Sequence, residues 1–159
     1  MHGNGSDVIL QAFHWNLVKT QGTGTIDGRG VSWYAILEAS MAHIASCGFT
    51  VLYLPPPWRD DSAWEHEGKH GGGEGYYWHD FILDSRYGTK AELVSLVDSA
   101  HRNGLKVIVD IVLNHRDGSR MQSDIWPYPG PCWRNGGADS GGAFMDGRYD
   151  LALHEPIVQ

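Results

Sequence analysis

The chain is short of cysteine, of positive charge and of long apolar runs, and each shortage removes a class of protein. Cys47 and Cys132 are its only cysteines, too few for the disulfide framework that holds small secreted domains together. Acids outnumber Lys and Arg by 19 to 12, for a formal net charge of −7. No basic cluster offsets this, so the electrostatic footprint of a nucleic-acid or anionic-membrane partner is missing. No segment reaches the ~20 apolar residues that a bilayer span needs. Met1 to Ser6 lacks the basic start and apolar segment of a signal peptide, so the compartment is not legible from the residues. With 42% hydrophobic and 19% charged residues, a globular piece is expected rather than a disordered one.

What the chain has in quantity is aromatics, with seven Trp and seven Tyr. Several fall in glycine-rich, loop-like sequence, where an exposed ring suits sugar stacking and a covered one makes a small satellite core. Around these loops the pattern is strand, helix, strand, helix, strand. Val8-Ile9-Leu10 reads as a short strand, and Gln21 to Gly30 as a glycine-rich loop. Leu37, Met41 and Ile44 then recur at helical spacing, with Ser32 as N-cap and Gly48 as the left-handed stop. Cys47, at the end of that helix, is expected to be a buried small apolar residue. Thr50 to Leu54 reads as a second strand closed by Pro55 to Pro57. Trp58 to Tyr87 reads as one long polar loop, of a length uncommon without a function.

Thr89-Lys-Ala-Glu92 is a capping box, and the helix behind it places Leu93, Leu96, Val97 and Ala100 on one face. Asn103-Gly104 ends it. Val107 to Val112, β-branched and broken only by Asp110, reads as a third strand buried on both faces. This alternation predicts an α/β fold with parallel strands and helical crossovers. No solenoid repeat is present, and beyond His115 the periodicity fades.

Asp110-Ile-Val-Leu-Asn114-His115 resembles the first signature of the α-amylase family of glycoside hydrolases, Asp-x-x-x-Asn-His at the end of the third barrel strand. Six residues are a weak signal alone. Gln11 to Trp15, Gly75 to Gly88 and Trp133 to Leu151 match the same family in the right order, so the resemblance spans nearly the whole chain. It is similar in particular to bacterial maltooligosaccharide-forming members. The resemblance implies the N-terminal portion of a (β/α)8 TIM barrel. Its first three strands would lie in residues 1–115, and part of an inserted calcium-binding subdomain in residues 116–159. Because eight strands close such a barrel, it also implies a fragment of a longer enzyme. That parent would be a monomeric, secreted, retaining α-1,4-glucan hydrolase acting on starch or maltooligosaccharides. An α-1,6-cleaving or transglycosylating relative and a non-catalytic carbohydrate-binding module are the alternatives.

Roles follow residue by residue from the resemblance. Tyr76, after Gly75, would stack on the sugar at the cleavage point; the plainer reading is a Tyr that plugs the barrel mouth. His115 would donate a hydrogen bond to the same sugar, as a neutral imidazole can without adding charge. Asp110 would support the site floor, with its basic partner on a strand outside the chain. Asn114 and Asp150 would bind a structural Ca2+, which prefers oxygen ligands; an isolated Asn-His pair at a strand end would be read as capping a turn, and the flanking matches favour the functional role. Asp139 and Asp146 are further candidate ligands in a loop shortened relative to the family, and solvated loop acids are the competing reading.

Three other patterns lead nowhere. His66, His70 and His79 match no familiar zinc spacing. Gly68 to Gly73 lacks the Gly-Lys-Ser/Thr ending of a phosphate loop. His14 fits the first-strand signature but suits packing. Retaining hydrolysis needs two carboxyls about 5–5.5 Å apart, and the family's pair is expected beyond Gln159. The chain alone is therefore expected not to cut starch, and its unpaired strand edge to make it marginally stable and prone to aggregate.

Overall fold

The structure, a computed structural model, describes residues 5–14, 31–60, 64–66, 69–71, 73–76, 78 and 81–113. In chain order the elements are β1 (Ile9–Gln11), α1 (Trp33–Ser46), β2 (Val51–Leu54), β3 (Trp64–His66), β4 (Lys69–Gly71), α2 (Lys90–Arg102) and β5 (Lys106–Val109). β2 lies between β1 and β5, parallel to both. Parallel neighbours cannot be joined by a tight turn, and α1 and α2 are the crossovers that join them. This is the α/β alternation expected of the first part of a barrel.

Strand register decides which side chains meet the helices. Leu10, Leu52 and Val107 are partners across the sheet, as are Leu54 and Val109. Because side chains alternate along a strand, these five share one face. They pack with Tyr34, Leu37, Met41 and Ile44 of α1 and Leu93, Leu96 and Ala100 of α2. On the opposite face Ile9 is 54% exposed and Ile108 46% exposed, while Val51 in the central strand is buried.

Here the expectation of a third strand buried on both sides needs correction. β5 alternates exposed and half-buried, since helices cover one face only among the described residues. It also stops at Val109, leaving Ile111 and Leu113 exposed beyond it. A β-branched run records apolar composition but not how many faces are covered. Cys47 is a second correction. It follows the last turn of α1 with its thiol exposed, 3.8 Å from His43 Nε2. On α2, Ser99 takes a buried place while Val97 is only partly covered.

Helix starts follow the capping chemistry. Ser32 Oγ accepts the Ala35 N–H at 3.0 Å and donates to Glu92 Oε1 at 2.8 Å. Glu92 Oε2 accepts the Thr89 N–H at 2.7 Å and the Thr89 hydroxyl at 2.9 Å, while Thr89 Oγ1 accepts the Glu92 N–H. One carboxylate thus closes the capping box of α2 and fastens the N-cap of α1 to it. Burial pushes the Glu92 carboxyl up, but the Thr89 N–H and the Ser32 and Thr89 hydroxyls outweigh it and hold the group below its ordinary value. A depressed carboxyl stabilises the fold above its unfolded pKa and loses that contribution as pH falls through the folded value. Glu92→Ala is expected to lower stability by about 1–2 kcal/mol at pH 7. The difference should shrink below pH 4.5, the ordinary value of this carboxyl. Thermal melts at pH 7 and pH 3 check this, and an equal difference at both would contradict it.

The N-terminal ends of the strands are tied separately. Asp7 accepts from Thr50 Oγ1 at 3.0 Å and from Lys106 Nζ at 2.8 Å. The Lys106 hydrogen bond, followed by that of Thr50, holds the Asp7 carboxyl below its usual value. Being exposed, this clamp serves strand alignment more than stability. The opposite, C-terminal ends are left to the site.

Candidate functional site

In open α/β architecture, ligands meet the carboxyl ends of the strands, and there the described residues gather a polar group. Beyond β5, the Asp110 N–H donates to the Leu54 carbonyl at 3.0 Å, which holds its backbone against the end of β2. Two tyrosines reach its carboxylate. Tyr53, in β2, donates from its hydroxyl to Asp110 Oδ2 at 2.9 Å, and Tyr76 donates to the same oxygen at 2.9 Å. Within this chain the acid is met by two phenols. Burial first, then the Asp110 hydrogen bond and charge, push both phenols above their ordinary values, so both remain hydroxyl donors at neutral pH.

Tyr76 is carried into place by the loop before it. Gly75 has φ +88°, the left-handed region that side chains disfavour. A Cβ there would run into the carbonyl oxygen of Pro56 and approach its Cβ to 2.7 Å. The Gly75 N–H donates to Asp60 Oδ2 at 2.8 Å. Asp60 is only 2% exposed and Glu74 only 3%, so two loop acids are interior groups here. Beside them, burial and then the Glu74 charge push the Tyr87 phenol far up, and its hydroxyl donates to the Glu74 carbonyl at 3.2 Å. Tyr76 itself is half-buried. Its hydroxyl is anchored to the sheet and its loop is seated on Pro56, an arrangement that presents a ring at the strand ends.

The segment read as a single long loop carries structure of its own. β3 and β4 pair antiparallel, Trp64 opposite Gly71. Trp58, Trp78 and Phe81 cluster with ring centroids 4.7–6.2 Å apart. Trp78 is buried, so these rings make the satellite core that was the plainer reading, with Phe81 at its rim. Trp58 Nε1 is buried without a hydrogen-bond partner among the described residues. Phe13, after β1, stands edge-on to Tyr53 at 5.3 Å.

Of the side chains singled out from sequence, Tyr76 and Asp110 are brought together. Asn114, His115, Asp139, Asp146 and Asp150 lie outside the described residues, as do Cys132 and the whole of 116–159. Among the described residues, no group of three or more His, Cys, Asp or Glu is placed to hold a metal ion. No described helix is long and apolar enough to cross a membrane. Sequence reading missed Tyr53 and Asp60. The only signal for Tyr53 was a hydroxyl-bearing residue near a strand end, and its meaning depends on a register that sequence does not display.

Comparison with known proteins adds three findings. A family model described as alpha amylase, catalytic domain, matches residues 20–122, well over half of the chain. Glucan 1,4-alpha-maltotetraohydrolase of Stutzerimonas stutzeri is 41% identical over 167 residues, and that of Roseateles saccharophilus 38%. Each alignment covers 99% of this chain and 29% of the relative, so the chain spans under a third of their length. Among solved structures, alternansucrase in complex with isomaltononaose superposes with a TM-score of 0.51 at 20% identity. That match covers 66% of this chain and 9% of the other, a likeness of fold.

Proposed function

We propose, from the premise that this chain belongs to the α-amylase catalytic-domain family, that it is the N-terminal part of a retaining α-1,4-glucan hydrolase. Starch and maltooligosaccharides are the substrates we assign to it. One observation carries the reading: the Tyr76 hydroxyl is fixed to Asp110 at the carboxyl ends of the strands, where barrel enzymes meet their substrates. The maltotetraohydrolase names of relatives aligned along nearly the whole chain support the same reading.

In this proposal Tyr76 is a platform. Its face takes the CH groups of a glucose ring, while the sugar hydroxyls at the ring edge stay free to bond. His115 is the sugar's hydrogen-bond donor, and Asp110 positions rather than reacts. The nucleophile and the acid/base are assigned to sequence beyond these 159 residues. Residues 1–115 then form the barrel part and 116–159 part of the inserted subdomain. Calcium enters on the sequence pattern alone. Asn114 and Asp150 would hold it, with Asp139 and Asp146 as further candidates, and its role would be to brace the subdomain against the barrel.

The test is hydrolysis of maltohexaose by the complete protein carrying this chain, with the product anomer followed by NMR. Initial formation of the α-anomer is expected, and none from the purified 159 residues alone. In a parallel arm, a chelator should lower the thermal midpoint of the complete protein, and Asn114→Ala should remove most of that difference. An initial β-anomer, or activity of the 159-residue chain, would overturn the assignment.

A further inference from the structure

We infer that Tyr53 is a positioning residue for the Tyr76 platform, acting through the single Asp110 oxygen that both hydroxyls share. The inference rests on the proposed reading of Tyr76 as a glucose platform.

Sheet geometry is the starting point. Tyr53 sits opposite Ile108 in the register, and Asp110 lies two residues further along, so both side chains belong to the face away from the helices. Among the described residues no helix covers that face. The Asp110 backbone is fixed by its N–H to the Leu54 carbonyl, but the terminal torsion of an aspartate is broad and soft. Two donors converging on Oδ2 at 2.9 Å each hold that torsion more tightly than one would. Removing the Tyr53 hydroxyl loosens the carboxylate, and the Tyr76 hydroxyl shifts with it.

Tyr53 is itself well held. Its backbone lies in the central strand of the sheet, and Phe13 braces its ring edge-on from the end of β1. The hydroxyl therefore reports the position of the sheet to the carboxylate. Through Asp110 it sets where the loop's Tyr76 ring stands relative to the strand ends. A ring displaced by about 1 Å still stacks loosely but no longer orients the scissile bond, a loss that falls on the rate of the productive complex.

The experiment is a double-mutant cycle in the complete protein, with kcat and KM measured on maltohexaose for Tyr53→Phe, Tyr76→Phe and the pair. Tyr53→Phe keeps the ring and its contact with Phe13. It is expected to lower kcat/KM about fivefold, about 1 kcal/mol and the usual net worth of one hydrogen bond. The loss should divide between kcat and KM in the same proportion as for Tyr76→Phe, with a thermal midpoint within about 3 °C of the parent. In the Tyr76→Phe background, Tyr53→Phe should change kcat/KM less than twofold, since the hydroxyl it serves is already gone.

Losses that multiply, or a Tyr53→Phe protein within twofold of the parent, would overturn the inference. So would a loss accompanied by a large fall in thermal midpoint, the mark of a structural role alone. Tyr76→Ala separates the two levels. If it leaves kcat/KM intact, the platform reading itself falls and this inference falls with it. If it is impaired while Tyr53→Phe is not, only the role of Tyr53 is lost.

Discussion

Tyr76→Ala is expected to lower kcat/KM on maltohexaose by roughly 30- to 100-fold in the complete protein. The magnitude corresponds to about 2–3 kcal/mol, the usual cost of truncating an aromatic anchor at the centre of a binding surface. Two contributions are lost together. The first is the face that takes the sugar's CH groups; the second is the link from loop to sheet, because the Tyr76 hydroxyl donates to Asp110 Oδ2. Tyr76→Phe separates them by keeping the face and removing the link, so its defect should be intermediate. The parent's thermal midpoint should change little, since the ring is half-buried and not among the core side chains. Steady-state kinetics on the three proteins decide the matter, and an Ala variant within threefold of the parent would rule out the platform.

Gly75→Ala should damage stability and function at once. The backbone at Gly75 has φ +88°, which costs a side-chain-bearing residue about 1–2 kcal/mol. The new methyl would also run into Pro56, whose carbonyl oxygen and Cβ line the position. Pro56 is among the fully buried residues and its ring fixes φ, so it has little room to yield, and overpacking of this kind adds about 1–3 kcal/mol. We therefore expect a total near 3 kcal/mol, a fall in thermal midpoint of about 10 °C, and a loss of kcat/KM approaching that of Tyr76→Ala. Gly48 supplies the internal control. Its φ is +89°, but a Cβ there meets nothing within 4 Å, so Gly48→Ala should show the backbone cost alone and leave kinetics unchanged. Equal melting points for the two variants would refute the close approach to Pro56.

Where the sequence was readable, local chemistry explains why. The Ser32 and Thr89 caps, the Glu92 box and the Gly48 stop act within a few residues, so spacing alone reveals them. The faces of α1 and α2 follow from helical period in the same way. Where it was not readable, distance along the chain is the reason. Tyr53 and Asp110 are 57 residues apart, and nothing near either one announces the other. In sequence Asp60 is one of several acids in the long loop, and nothing marks it out until the Gly75 N–H is found bound to it. Cys47 looks like a small buried residue at a helix end, yet the α1 stripe turns away from it. The β3–β4 hairpin was missed because its strands have three residues each and lack an alternating pattern.

By itself, then, the sequence determined the order of the three parallel strands and the two helices, the limits of those helices, the α-amylase family pattern, and the choice of Tyr76 and Asp110 as residues to watch. Those are properties of short windows: period, caps, turn glycines and a signature of six residues. Only the tertiary structure decided that β2 runs between β1 and β5, that the described helices cover one face of the sheet, and that Tyr53 and Tyr76 share one oxygen of Asp110. Such facts depend on register between segments far apart in the chain. A shift of one residue would turn Tyr53 to the other face, and no local pattern encodes that choice.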